Sequence, residues 1–490
     1  MQTHPPALNS AEGRWIITGM VLGSAATFLN ATVVNIALPT IGTDLGADLA
    51  GLQWVVNGYL LTLSALILIG GSAGDIFGRR RVFLGGLALM VVGSVGAMAA
   101  PSLGWLIAAR LLQGIGAAGM TPASLAIVDA SFAEEERGKA VGLWASGSSF
   151  AAAAGPFLGG WLVDSGSWRW VFALNLPLAA GAAWATLRHV PESVGDRPGR
   201  HLDLPGAALA AVAIFGLVYG LVQGPGDGWN DPTVVASLAL GVLASLGFAI
   251  RESRASDPML PFRLFRSRQF SGTNALTLLM YFTIGGSFFF LALQLQVVSG
   301  YTASAAGAAI VPLSLLLIAG SPTAGRLSAT YGPRWLLTIG PVVAGIGMLL
   351  YLRVGEDANY LTDVLPGVAV MGVGLAIMVA PLTATVLGSV AVADVGIASA
   401  VNNAIARTGG LLATAMLPFL AGVSTAAVGP EFAEGFRRAM VISAGLAFAG
   451  GIIGFATADR CVALLTTQQA SPVSGCSQRS LPAEVEAKAA

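Results

Sequence analysis

The feature that most constrains this chain is a succession of apolar stretches, each about 20 residues long and separated by short polar breaks. Stretches of that length reach across the hydrocarbon core of a bilayer as helices. Lipid offers no partner to backbone N–H and C=O groups, so each stretch must satisfy them internally, which excludes open strands. Composition agrees: apolar residues make up 55% of the chain and charged residues 10%, against about 25% charged in a soluble domain. The 64 glycines suit membrane helices that approach closely. The fold class expected is an all-α polytopic membrane protein.

Counting stretches of spanning length gives about fourteen, with approximate limits 15–39, 52–74, 82–100, 105–128, 140–163, 170–187, 204–224, 232–250, 270–298, 305–324, 335–352, 364–387, 400–422 and 438–457. The breaks near Pro225 and Pro322 are the weakest, and 12 or 13 is the alternative count. If the N-terminus is cytoplasmic, 19 of the 25 arginines and lysines fall in inner segments and 4 (Arg169, Arg353, Arg437 and Arg438) in outer ones. Arg110 and Arg407 lie inside spans. That asymmetry favours both termini in the cytoplasm and an even number of spans.

Several function classes are disfavoured. Net charge is zero, so nothing points to nucleic acid. Cys461 and Cys476 both lie in the polar tail, so no disulfide framework is expected. The first apolar run is longer than a signal-peptide core and its lead carries no lysine or arginine, so it reads as a retained span. No G-x-x-x-x-G-K-[ST] loop occurs, so ATP is not the direct energy source. Glu134, Glu135 and Glu136 form a solvated charge run without metal-ligand spacing, and no nucleophile–base pair is evident. Neither an enzyme nor a scaffold with a soluble domain is expected, and no metal or cofactor is implied.

Four strings carry more chemistry. Gly71-Ser72-Ala73-Gly74-Asp75-Ile76-Phe77-Gly78-Arg79-Arg80-Arg81 is a tight loop on the basic side, where Asp75 can pair with arginines. Arg110-Leu111-Leu112-Gln113-Gly114 puts a guanidinium within a span, which is costly in lipid unless it faces the bundle interior. Gly155-Pro156-Phe157-Leu158-Gly159-Gly160 combines a helix-kinking proline with a small-residue groove. Trp168-Arg169-Trp170-Val171-Phe172-Ala173-Leu174-Asn175-Leu176-Pro177 reads, on physics alone, as an interfacial aromatic belt.

As an ordered set, these strings resemble the major facilitator superfamily, and the fourth resembles the signature of its fourteen-helix drug:proton antiporter branch (QacA/EmrB-type). Gln53-Trp54-Val55-Val56-Asn57-Gly58-Tyr59, Asp257-Pro258-Met259-Leu260-Pro261 and Ala398-Ser399-Ala400-Val401-Asn402-Asn403 extend the likeness over about residues 15–457. The resemblance implies a major facilitator fold of two six-helix bundles, 15–188 and 270–457, with an inserted helix pair at 204–250. A cytoplasmic N-terminus (1–14) and a disordered cytoplasmic tail (458–490) complete it. It also implies a gating motif at Gly71, Asp75, Gly78, Arg79 and Arg80, proton transfer near Arg110, and an antiporter motif at Gly155, Pro156, Gly159 and Gly160. The latch competes with a plain turn and topology anchor, the proton role with a hydrogen-bond hub, and the export signature with packing alone. The implied activity is export of small amphipathic, antibiotic-like compounds across the cell membrane by proton antiport. An uncoupled facilitator or an importer of a neutral or anionic solute is the alternative.

The chain departs from the branch at Asn30, where an aspartate is common. Asparagine hydrogen-bonds but does not ionise. Every carboxylate and histidine falls in loops, tails or span edges; Asp75, Asp129 and Asp363 come nearest the spans. Coupling through an edge carboxylate, uncoupled transport, and a span limit misplaced near one acid all stand as explanations. Interior positive charge without interior acid favours neutral or anionic substrates. Polar residues inside spans give the expected pathway: Asn30, Asn57, Tyr59, Arg110, Gln113, Asn274, Gln294, Gln296, Asn402, Asn403 and Arg407. The partners implied are a small-molecule substrate, the lipid bilayer and protons; a monomer is expected.

Overall fold

A computed structural model describes residues 6–195, 202–255, 258–391, 394–423 and 430–459. The C-terminal tail, with both cysteines, lies outside the described residues, as does Asp257. Fourteen long helices follow one another: α1 (Ala11–Leu45), α2 (Leu49–Phe77), α3 (Arg79–Met98), α4 (Leu103–Ser131), α5 (Glu134–Ser165), α6 (Asn175–His189), α7 (Leu204–Asp227), α8 (Pro232–Arg254), α9 (Arg268–Leu293), α10 (Ala303–Tyr331), α11 (Arg334–Leu350), α12 (Leu365–Gly388), α13 (Val395–Leu420) and α14 (Pro430–Thr457). A single turn, Trp170–Ala173, leads into α6, and π-helical turns at Gln294–Val298 and Tyr360–Val364 end α9 and begin α12. Side chains at the breaks start the helices. Asp48 accepts from the Gly51 N–H at 2.8 Å, Asp203 from Gly206 at 2.9 Å and Ser10 from Gly13 at 3.0 Å.

Twelve of the described helices are long and apolar enough to cross a membrane, fewer than the sequence count of about fourteen; α5 and α13 fall short. The reason is compositional. Both are rich in glycine and alanine; α5 also carries Ser146, Ser148 and Ser149, and α13 carries Asn402, Asn403 and Arg407. Both are helices of the seam between two halves. Helices α1–α6 pack on one another and α9–α14 do likewise, while α5 crosses to α10 and α13 crosses to α2. The hairpin of α7 and α8 lies outside, with α7 against α2 and α13. The two weak breaks are present a few residues on: α7 runs through Pro225 and ends at Asp227, and α10 runs through Pro322 and ends at Tyr331.

The outer surface is apolar where lipid would touch it. Val92, Trp161, Leu243, Leu246, Leu315 and Ile452 are all exposed, the arrangement expected of spanning helices whose backbone is internally satisfied. The interior is not uniform along the membrane normal. At the end opposite the arginine-rich loops, one apolar core runs through both halves, joining Val33, Ile41, Trp168 and Phe172 to Phe289, Ile310 and Phe436. Toward the basic end the first half has a core of its own, including Ile16, Phe83, Met120 and Ile127, and Leu264, Phe270, Val386 and Val401 form a separate cluster in the second half. Among the described residues, every hydrogen bond between the halves lies at the end opposite the basic loops. Gln53 Nε2 donates to the Thr414 carbonyl (2.6 Å), Gln296 Nε2 donates to the Ile36 carbonyl (3.0 Å), and Asp164 accepts from Ala303 and Ser304. The structure is therefore closed at that end.

Candidate functional site

Arg110 sits on α4 and is 1% exposed. Burying a guanidinium in a membrane domain is tolerable only if its donors are met. Small residues bring the acceptors close. A Cβ on Gly114 would lie 2.0 Å from Thr62 Oγ1 and 2.3 Å from the Tyr59 carbonyl, and one on Gly93 would lie 2.7 Å from Gln113 Cγ. Helices α2, α3 and α4 thus meet almost backbone to backbone. Arg110 Nε donates to the Val55 carbonyl (2.9 Å), and Nη1 donates to Asn30 Oδ1 (2.9 Å) and Gln113 Oε1 (2.9 Å). The guanidinium carbon lies 4.6 Å from the Tyr59 ring centre and 5.9 Å from that of Phe172. Tyr59 is held in turn by its hydroxyl, which donates to the Thr27 carbonyl at 2.8 Å.

The network continues into residues the sequence reading did not single out. Gln113 Nε2 donates to Ser94 Oγ (2.9 Å), which also accepts from Asn175 Nδ2 (3.0 Å). Asn30 Nδ2 approaches Met90 Sδ at 3.6 Å. Ser94 is a residue common in spans, and Asn175 lay hidden in a string read as an interface belt; the rule that picked out Gln113, a polar side chain inside an apolar run, applied to both. Arg110 thus has four elements of one half converging on it, with no ion pair among the described residues.

The second half has a smaller polar cluster and a different arginine. Asn402 Nδ2 donates to Asn274 Oδ1 (3.0 Å) and Thr277 Oγ1 (2.9 Å), tying α13 to α9. Asn403 donates to the Ser399 carbonyl of its own helix at 3.2 Å. Arg407 is only half-buried. It reaches the other half, with its guanidinium carbon 4.8 Å from the ring centre of Phe28. Among the described residues it has no ion pair and no hydrogen-bonded side-chain partner.

The remaining pathway candidates are placed apart from these two clusters. Gln294 donates to the Val354 carbonyl (3.2 Å) and Gln296 to Ile36, so both belong to the closed end. Asn57 is fully buried on α2, and neither of its amide atoms meets a protein partner among the described residues.

The glycine strings separate in the same way. In the basic loop, Asp75 Oδ1 accepts from Arg79 Nε (3.2 Å) and Nη2 (3.1 Å), and Arg79 Nη1 donates to the Ala126 carbonyl (3.3 Å). Gly78 adopts φ of 106°, which a side chain would strain. A residue not picked out from the sequence, Glu192, accepts from the Arg80 N–H (3.0 Å) and faces Arg81 at 3.7 Å. Gly71 merely packs on Pro122. The string on α5 works on two faces. Cβ atoms on Gly155 and Gly159 would clash with Thr32 and Val33 of α1, whereas one on Gly160 would lie 2.2 Å from the Ala303 carbonyl of α10. Reciprocally, a Cβ on Gly307 would lie 2.1 Å from the Pro156 carbonyl. Pro156 and Gly160 are therefore at the crossing of the two halves.

Comparison with known proteins gives this geometry a context. The profile described as Major Facilitator Superfamily matches residues 20–414. The chain is 32% identical to the tetracenomycin C resistance and export protein of Streptomyces glaucescens, over 87% of this chain and 80% of that one. It is 36% identical to the puromycin resistance protein pur8 of Streptomyces alboniger (84% and 82%) and 35% identical to the cephamycin export protein CmcT of Amycolatopsis lactamdurans (86% and 89%). Among solved structures, a POT-type peptide transporter in complex with sulfate aligns with a TM-score of 0.68 at 15% identity, covering 93% of this chain and 96% of that one. A bacterial homologue of the human lysosomal transporter Spinster, in an inward-facing and unoccupied conformation, aligns with a TM-score of 0.64 at 17% identity (92% and 97%). Likeness at that identity speaks to fold alone. The profile match and the identity to these relatives, extended over most of the chain, make it a multi-pass membrane transporter of the Major Facilitator Superfamily.

Proposed function

We propose that this protein exports small amphipathic, antibiotic-like compounds by alternating access. The observation that carries the proposal is the set of relatives at 32–36% identity, each matched over most of its length and named for resistance to or export of an antibiotic. The two halves with a polar interior and a closure at one end supply the machinery. We read α5 and α13 as spanning too, since they form the inter-half seams, and this count favours the fourteen-helix QacA/EmrB-type branch. The excess of arginine on one face supports cytoplasmic termini, so the closure lies on the outer side and the structure faces inward. On this reading α1–α6 and α9–α14 are the two bundles, α7 and α8 the inserted pair, and a monomer suffices. The loop of Asp75, Arg79 and Arg80 then acts as the inner latch.

The chemistry of the interior favours neutral or anionic substrates. Arg407 projects a positive charge, without an acidic partner among the described residues, onto Phe28 at the seam, a pairing suited to an aromatic compound carrying a carboxylate or phenolate. Drug accumulation in a host lacking its own exporters tests the reading: expression should lower accumulation of at least one such compound. Unchanged accumulation across a broad panel, at normal membrane expression, would remove export from the account.

Proton antiport is the favoured energy source within this class of exporter. An uncoupled facilitator is the second reading, supported by the placement of every described aspartate and glutamate at a helix end or in a loop. Flux in vesicles separates the two: antiport requires export to accelerate under an inward proton gradient, and flux indifferent to that gradient favours the facilitator.

A further inference from the structure

The closed end holds an arrangement that neither half could make alone. The first turn of a helix leaves four N–H groups without intrahelical partners. In α10, Thr302 meets one of them from its own chain segment, accepting from Ala305 N–H at 3.2 Å. Two others are met from across the seam. Asp164, in the last turn of α5, accepts from the Ala303 N–H through Oδ1 (3.1 Å) and from the Ser304 N–H through Oδ2 (2.8 Å), and the Ser304 hydroxyl also donates to Oδ2. The carboxylate faces the positive end of the α10 dipole, where negative charge is favoured. One turn below, Gly160 and Gly307 let the two backbones touch. No bulky side chain separates the carboxylate from its donors.

The surrounding charges do not compete for it. On α1, Asp44 is engaged with Trp168 Nε1 and Arg169 Nη1, both at 2.8 Å. Helix α10 has no charged residue before Arg326. The Tyr301 hydroxyl donates to the Ala358 carbonyl at 3.0 Å. The carboxylate of one half therefore serves as the helix cap of the other.

We propose that Asp164 is the latch of the outer gate: its cap on α10 forms only when the halves close at this end, and it sets the balance between outer-closed and outer-open states. The proposal rests on the alternating-access reading above. It does not make Asp164 a proton carrier.

The test is a distance measurement on the full chain in nanodiscs. Cys461 and Cys476 are replaced by serine, and spin labels are placed at Pro101→Cys and Asp357→Cys, exposed loop positions of opposite halves at the outer end. Loss of a cap of this kind is expected to raise the ratio of long-distance to short-distance populations about two- to thirtyfold, so Asp164→Ala should show such a rise. Ser304→Ala, which keeps both N–H donors, should give a smaller rise in the same direction and covers the case that the first variant fails to fold. A ratio within twofold of the parent in both variants overturns the latch. The distances are read without substrate. A protein whose gate shifts as expected yet exports nothing keeps the latch and loses the export reading, and normal export with an unmoved gate does the reverse.

Discussion

The two arginines inside this membrane domain carry the same charge and live in opposite circumstances. Arg110 is sealed in the first half, with Val55, Asn30 and Gln113 on its donors and Tyr59 and Phe172 beside its plane. Arg407 crosses the seam, half-buried, with its guanidinium over the Phe28 ring. A buried charge held by fixed acceptors on every side-chain nitrogen has little left for a ligand; its removal orphans acceptors instead. A half-solvated charge over an aromatic ring costs little to hold and stays available. The difference teaches that position within a span identifies a functional charge, whereas the partners it already has decide what kind of function it serves. On the proposed reading, Arg110 organises a bundle and Arg407 is the charge left for what passes through it.

The comparison breaks most visibly at Arg110. Replacement by alanine leaves Asn30 Oδ1 and Gln113 Oε1 without their donor, each at about 1–3 kcal/mol, while the Val55 carbonyl keeps its partner within α2. Arg110→Ala is therefore expected to lower thermal stability clearly and to abolish drug export, measured as accumulation equal to cells with empty vector at matched membrane expression. A stable, fully active variant would refute the organising role. Arg407 should behave otherwise. Arg407→Gln removes a charge but orphans no described acceptor, so the melting temperature should move by about 2 °C or less. The Michaelis constant for an anionic compound should rise about tenfold, the equivalent of 1.4 kcal/mol, while that for a neutral one stays within about twofold. Equal effects on both would place Arg407 outside substrate recognition.

Asn30 offers a finer probe of the same contrast. Its Oδ1 already accepts from Arg110 at 2.9 Å, so Asn30→Asp places a negative charge on an existing contact with little change of shape. The local charge of the hub falls to zero while Arg407 is untouched. If substrates sense Arg407 and not the hub, the preference for anionic over neutral compounds should change by less than about threefold. A reversal of charge preference in the flux assay would show that the hub is felt along the pathway after all.

The sequence made the hub legible and left its surroundings obscure, for a physical reason. A guanidinium in an apolar run has to be buried and bonded, and Gln113 three residues on lies on the same face of the helix. The rule finds buried polar groups without saying what they face. Gln294 and Gln296 satisfied it as fully as Asn30, yet Gln296 bridges the halves at Ile36 and Gln294 bonds to Val354 within the second half. Asp164 escaped because it ends a span, where carboxylates are ordinary, and because its partners are backbone N–H groups 139 and 140 residues away, which no local pattern announces. Helices α5 and α13 were found as elements. Their low apolarity, read at first as compatible with lipid, reflects their place at the seams between the halves.

The smallest test sets neighbours against each other. Asn402 and Asn403 are adjacent on α13 and equally half-buried, but they bond differently. Asn402 ties α13 to α9 through Asn274 and Thr277, whereas Asn403 folds back on the Ser399 carbonyl. Losing two inter-helix bonds should cost about 1–2 kcal/mol, so Asn402→Ala should lower stability and leave the Michaelis constant unchanged. Asn403→Ala gives up one bond within its own helix, whose backbone carbonyl keeps its helical partner, and should cost less than about 0.5 kcal/mol. If the amide of Asn403 faces the pathway, that variant should nonetheless shift the Michaelis constant. The pattern to look for is therefore a crossing, with stability moved by one asparagine and affinity by the other. Two variants that moved both quantities together would mean that α13 carries no division between residues that hold the second half together and residues that meet the substrate, and the contrast drawn from Arg110 and Arg407 would not extend beyond the arginines.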